Sequence, residues 1–348
     1  LSAGEHIVIQ SLPIGISLFA IAAIVIGLVG TRMCKVADRL ADATGWGEAV
    51  VGAVFLGGST SLAGIVTSVT AAYGGHAELA VSNAVGGIAA QTAFLAIADM
   101  FYRKANLEHA AASIANLIQG TLLMSLLAIP LLATSSPQVS YWGIHPATFA
   151  IIGAYLFGLR LVSQAEEKPM WKPRYTEKTE LDEPAEITDI NVSLTRLWLE
   201  FIFYALILAL AGYLIAQTGV FIAIETGLSE SLIGGLFTAV STSLPELVVS
   251  VAAVRQGALT LAVGGIIGGN CFDILLLAFS DIAFRSGSIY AVISNNQIFV
   301  ISLTILMTGI LLLGLLQREK YGFANIGFES VLILVLYVGG IGLLISPF

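Results

Sequence analysis

Charge is what this chain has least of. Asp, Glu, Lys and Arg make up 11% of 348 residues, while apolar types make up 57%. A soluble chain carries about 25% charged residues, so a soluble enzyme or soluble binding module is excluded. Cysteine is nearly missing: Cys34 and Cys271 are too few for a disulfide framework. His6, His76, His109 and His145 are scattered without metal-ligand spacing. No basic stripe with interleaved aromatics occurs, which removes nucleic-acid binding. Phosphate-binding loops, dinucleotide fingerprints and nucleophile–base constellations are absent as well, so the sequence offers no enzyme chemistry. The 36 glycines follow no triplet period, which excludes a collagen-like chain.

What remains is a chain made for lipid. A bilayer core takes about 20 apolar residues per helix, and ten runs fit: roughly 11–31, 47–73, 77–102, 111–133, 144–163, 197–217, 229–254, 258–284, 293–316 and 325–346. The fold class expected is an all-α polytopic membrane protein of ten transmembrane helices. A polar stretch, 164–196, carries eight acids and three prolines and reads as a solvated linker. It divides an N-terminal five-helix half, 1–163, from a C-terminal one, 197–348. Assigning loops alternately to two sides places fourteen of the fifteen Lys and Arg residues on one side and only Arg285 on the other. The positive-inside bias then makes the 164–196 loop cytosolic and both termini non-cytosolic.

Residues 47–103 align without a gap on 229–285 at a constant offset of 182. Ser59-Thr60-Ser61-Leu62 matches Ser241-Thr242-Ser243-Leu244, Gly86-Gly87 matches Gly268-Gly269, and Asp99 and Arg103 match Asp281 and Arg285. Five spans separate the copies, so they enter the membrane from opposite sides. Inverted repeats of this kind mark secondary transporters, with the substrate held between the repeats near the midplane.

Only Glu246 and Asp273 fall deep inside the expected spans. A charge there costs about 2.5–3.5 kcal/mol on insertion scales and marks an ion or proton path. Thr242, Ser243 and Asn270 share their depth, and Thr242 and Glu246 are spaced i,i+4 on one helix face. Pro245 removes a backbone hydrogen bond and frees a carbonyl near Ser241. Carboxylates, hydroxyls and a free carbonyl describe a hard-cation site. Other acids read more plainly. Asp99–Arg103 and Asp281–Arg285 are i,i+4 pairs expected as interfacial anchors. Glu48, Glu78, Glu200, Glu230 and Glu329 lie at span ends, where solvation is cheap.

The run Ser241-Thr242-Ser243-Leu244-Pro245-Glu246-Leu247, followed by Gly268-Gly269-Asn270-Cys271-Phe272-Asp273, closely resembles the α-repeat of the calcium/cation antiporter superfamily, which includes sodium/calcium and proton-coupled calcium exchangers. The resemblance implies one central site: Glu246 and Asp273 as metal ligands from the second repeat, with Thr242, Ser243 and Asn270. Thr60, Ser61, Asn83 and Gln91 are the polar candidates of the first. That first repeat departs from the pattern. Ala63 stands for the family proline, Gly64 for its glutamate, Ile88 for an asparagine, and Gln91 for an acid or asparagine.

The implied function is alternating-access antiport of calcium or another divalent cation against sodium or protons. A monovalent sodium or potassium/proton antiporter, and a non-transporting ion-binding protein of the same descent, are the alternatives. No cofactor is implied. Calcium and sodium enter as cargo, and the partners are inorganic cations and the bilayer.

Overall fold

The computed structural model describes residues 9, 11–44, 57–102, 104–111, 113–137, 139–167, 169–177, 179, 193–322 and 326–345. The long elements are α1 (Leu12–Thr44), α2 (Leu62–Tyr73), α3 (Ala77–Asp99), α4 (Ile114–Ser135), α5 (Pro146–Glu167), α6 (Leu194–Thr226), α7 (Glu230–Thr242), α8 (Leu244–Gln256), α9 (Leu259–Ala283), α10 (Asn295–Gln317) and α11 (Phe328–Ile345). A single turn, Leu107–Ala110, sits between α3 and α4. Strands are absent among the described residues; Tyr141 and Ile144 form one isolated bridge.

Among the described residues, eight helices are long and apolar enough to cross a membrane, and the bent pair α7–α8 passes the same test when taken together, as a broken span or a re-entrant loop. The expected span 47–73 is described only from residue 57, where a 12-residue apolar helix, α2, follows; residues 47–56 lie outside the described residues. Two spans outrun their apolar runs. The expectation closed α1 near residue 31, before Arg32, Lys35 and Arg39, yet the helix continues to Thr44. Met33, Val36, Ala37 and Leu40 keep a buried stripe going at helical spacing, and Val36 and Leu40 pack on Leu197 of α6. α6 runs past its expected end at 217 to Thr226, where Phe221 lies beside Gly15 of α1 and Ala223 joins the main buried cluster.

The 182-residue offset extends beyond the aligned motifs. Leu12 and Leu194 open α1 and α6, Thr44 and Thr226 close them, Leu62 and Leu244 open α2 and α8, and Pro146 and Phe328 open α5 and α11. Loops gather at two ends. At one, His76 pairs with Glu230 at 2.6 Å and Ser231 donates to Glu78 at 2.7 Å. At the other, Arg255 lies 4.8 Å over the Phe101 ring and Arg318 donates to the His109 carbonyl at 2.7 Å. Between these ends α3 runs one way and α9 returns.

α3 and α9 form the centre; nearly every side chain of α3 is buried. Small residues allow this. A Cβ on Gly86 would stand 2.5 Å from the Gly235 carbonyl oxygen, and one on Gly234 would stand 2.7 Å from that of Leu79, so the α3–α7 crossing is a backbone-to-backbone contact. Around this centre, α1 and α6 pack together through Ala22, Ile26, Leu208, Ala211 and Ile215. They expose Ile21, Ile24, Leu28, Phe203, Leu206 and Leu210 outward, as a lipid-facing surface requires.

The acids at the helix ends depart from expectation. Asp281 is fully buried and does not serve as an interfacial partner of Arg285, which is exposed. It accepts from Ile289 N and His145 N, both at 2.8 Å, and from Thr148 Oγ1 at 2.6 Å. Backbone N–H groups at buried helix starts need an acceptor, and a carboxylate suits their partial positive charge. Asp99 is equally buried and accepts from Leu107 N at 2.8 Å and Gly327 N at 3.1 Å; Arg103 lies outside the described residues. Glu329 is 1% exposed rather than solvated, because α11 turns it inward against Glu108.

Candidate functional site

Two helix breaks meet at the centre. In the second repeat Ser243 leaves helical geometry (φ −98°, ψ 7°), Pro245 occupies the first turn of α8, and α7 and α8 diverge by 45°. Proline cannot donate to the preceding turn, but it is well placed where a helix begins. In the first repeat Ser61 adopts nearly the same conformation (φ −88°, ψ 6°) ahead of α2, although Ala63 stands where the proline would be. Proline is therefore not what sets the break. Ser61 spends its hydroxyl on Asp273 Oδ1 across the repeats. Just before the second break, residues Ile233–Thr238 form a π-helical stretch, a distortion frequent at functional positions.

The breaks enclose a cavity of about 10 Å³ lined by Ser61, Gly64, Asn83, Gln91, Thr242, Ser243, Glu246 and Asp273, closed by Ala84, Gly87 and Leu276. That is room for about one water-sized sphere. No Lys or Arg among the described residues lines it. Gln91 Nε2 donates to Asp273 Oδ2 at 2.5 Å and to Ser243 Oγ at 3.2 Å. Asn83 is braced from both repeats: it donates to Ser68 Oγ at 2.8 Å and accepts from Thr238 Oγ1 at 2.8 Å. Thr242 donates to the Thr238 carbonyl at 3.0 Å. Two oxygens have no donor: Glu246 Oε2 and Gln91 Oε1 are both buried without a hydrogen-bond partner.

Of the nine residues expected here, Ser61, Asn83, Gln91, Thr242, Ser243, Glu246 and Asp273 line one cavity. Thr60 stands just outside it, with its hydroxyl on the Gly57 carbonyl at 3.0 Å. Asn270 turns away and donates to Thr92 Oγ1 at 3.1 Å. At Gly64, where the resemblance places a glutamate, Leu276 fills part of the space, 3.1 Å from a built Cβ. Ser68 and Thr238, the braces of Asn83, went unnoticed in the sequence. The signal was there: Ser68 repeats as Ser250 at the same offset, and Thr238 precedes Thr242 by one helical turn.

A bundle of apolar spanning helices that closes around two acids, two amides and hydroxyls is a membrane carrier of cations by class, not an enzyme. The sequence profile of the family described as "Sodium/calcium exchanger protein" matches residues 14–161 and 196–345, and the chain belongs to that family. A protein named "Putative antiporter CaxA" from Alkalimonas amylolytica is 29% identical over 301 residues, 83% of this chain and 86% of that one. Solved structures of two exchangers are among those that share the fold. The sodium-calcium exchanger NCX_Mj superposes with a TM-score of 0.61 at 20% identity, covering 95% of this chain and 99% of that one. An H+/Ca2+ exchanger, CAX, superposes with a TM-score of 0.69 at 12% identity, covering 96% and 82%.

Proposed function

We propose that this protein exchanges a divalent cation, calcium by its ligand chemistry, for protons by alternating access. One observation carries the reading: Glu246 Oε2 and Gln91 Oε1 are buried oxygens without donors among the described residues, on two side chains that line one cavity. A buried acceptor without a donor is costly, and a hard cation is the partner that satisfies several at once. Two carboxyls neutralise one divalent ion, and two protons neutralise the same two carboxyls, so either cargo leaves the cavity uncharged. With Gly64 and Gln91 in the first repeat, no third carboxylate among the described residues lines the cavity to hold several sodium ions beside a calcium.

The ten-span, inverted-repeat arrangement belongs to the same proposal. It is supported by the matched helix starts and by the opposite courses of α3 and α9. The end bearing Arg255 and Arg318 is assigned to the cytosol on the positive-inside bias. Sodium as counter-ion is the second reading, favoured by the family. Reconstituted protein should take up labelled calcium when a proton gradient is imposed across the vesicle. Uptake that answers only to a sodium gradient establishes the second reading. No uptake under either gradient removes both.

A further inference from the structure

A second group of acids is buried far from the cavity, at the end bearing Arg255 and Arg318. Asp99 closes α3, Glu108 lies in the turn Leu107–Ala110, and Glu329 stands in the first turn of α11. Asp99 is fully engaged with Leu107 N and Gly327 N. The other two are not. Ser330 Oγ donates to Glu108 Oε1 at 3.3 Å, but Glu108 Oε2 and Glu329 Oε2 are buried with no partner. Both residues are 1% exposed. Their carboxyl groups converge on Gly327: a Cβ there would collide with Glu329 Oε1 and lie 3.1 Å from Glu108 Oε2. Glycine at this position is what lets the two acids meet.

The matching end of the molecule shows that these acids are not needed for the fold. There Asp281 makes the same backbone contacts, while Tyr290 and Ala147 occupy the positions matching Glu108 and Glu329. The Tyr290 hydroxyl lies 3.2 Å from Thr148 Oγ1, a neutral contact. Two carboxylates this close and this dry cannot both stay charged. A shared proton or a bound cation relieves them, and no group of three acids, cysteines or histidines among the described residues is arranged to hold a metal.

We propose that Glu108 and Glu329 bind one proton between them, a buried acid–carboxylate pair that fastens α11 to the α3–α4 connection. This is a proton site separate from the cation cavity and independent of which cation crosses. Glu329 carries the negative charge, since the free N–H groups at the start of α11 favour it there, and Glu108 carries the proton. Burial first, then the Asp99 charge, then the hydrogen bond and charge of Glu329 hold the Glu108 carboxyl well above the ordinary carboxyl range. The neighbouring charges are few. His109 turns its ring to the Arg318 carbonyl and Thr176, Arg318 binds the His109 and Arg174 carbonyls, and Lys320 lies over the Tyr321 ring. Lys104 is exposed, and Arg103 lies outside the described residues. As pH rises above the ordinary carboxyl range, folding stability from the pair declines, and it is gone once Glu108 ionises.

The test is infrared titration of the full-length chain in a Glu246→Gln, Asp273→Asn background, which silences the cavity acids. A protonated-carboxyl band should persist at neutral pH and vanish at alkaline pH. Glu108→Gln should remove it. Glu329→Gln should keep it and move its disappearance to a different pH. Hydrogen exchange across 326–345 should rise as the band vanishes, and should lose that pH dependence in Glu108→Gln. A parent with no such band at neutral pH overturns the proposal without any change at the pair. So does a band whose titration ignores both substitutions.

Discussion

Gln91 and Asp273 occupy the same position counted in two repeats, and they touch: the Gln91 amide donates to Asp273 Oδ2 at 2.5 Å. The second repeat supplies the charge and the first supplies the donor that orients it. Gln91→Leu keeps the bulk and removes the bond together with the Gln91 oxygen. A hydrogen bond to a charged group is worth about 1.5–3 kcal/mol, so divalent affinity should fall by about tenfold or more. Calcium binding to detergent-solubilised protein measures it, and unchanged affinity would falsify the pairing's role.

Glu246→Gln is expected to abolish divalent uptake, because one charge then faces a divalent ion in a closed cavity. At 4 Å and an effective dielectric of 20 each pair of unit charges interacts by about 4 kcal/mol, so the loss against a divalent ion is up to about 8 kcal/mol. Asp273→Asn should be milder, since Ser61 and Gln91 still bind that side chain. Flux in vesicles separates the two, and equal flux in both variants and the parent removes Glu246 and Asp273 from the site.

Gly86→Ala should lower thermal stability more than the same change at Gly153. At Gly86 the new methyl meets the Gly235 backbone at 2.5 Å, while Gly153 has open space. Overpacking costs about 1–3 kcal/mol, occasionally more, and here no flexible side chain can move aside. Melting of both variants in detergent is the check; equal midpoints would show that α3 and α7 are not in contact there.

His76 and Glu230 tie the start of α3 to the start of α7 at 2.6 Å. The hydrogen bond to Glu230 raises the His76 pKa, and burial opposes it. A raised histidine value gives stability that is complete at acid pH and is lost as pH climbs through that value. The pair is half-exposed, so the effect is small. Melting points followed from about pH 5 to about pH 9 should decline in the parent and lose that component in Glu230→Gln.

The sequence carried the outline because lipid permits few solutions. Apolar length gave the spans, and the cost of burying a charge singled out Glu246 and Asp273, which line one cavity. It failed where the partner is remote. Asp281 has Arg285 four residues on, a local reading, but its ligands include His145, 136 residues away. Glu329 looked solvated for the same reason, since nothing near it in the chain announces Glu108. The break at Ser61 was hidden because the usual mark, proline, is missing there and a distant hydrogen bond to Asp273 accompanies it instead. Residues 47–56 lie outside the described residues, so their expected helix stands as an expectation.

The two aspartate clamps have a further consequence. Asp99, from the first half, holds the start of α11 through Gly327, while Asp281, from the second, holds the start of α5 through His145. Residue i of one half meets residue j of the other, and j meets i, which is the pattern of an isologous interface between two subunits. On the inverted-repeat arrangement proposed above, the molecule is a dimer written on one polypeptide.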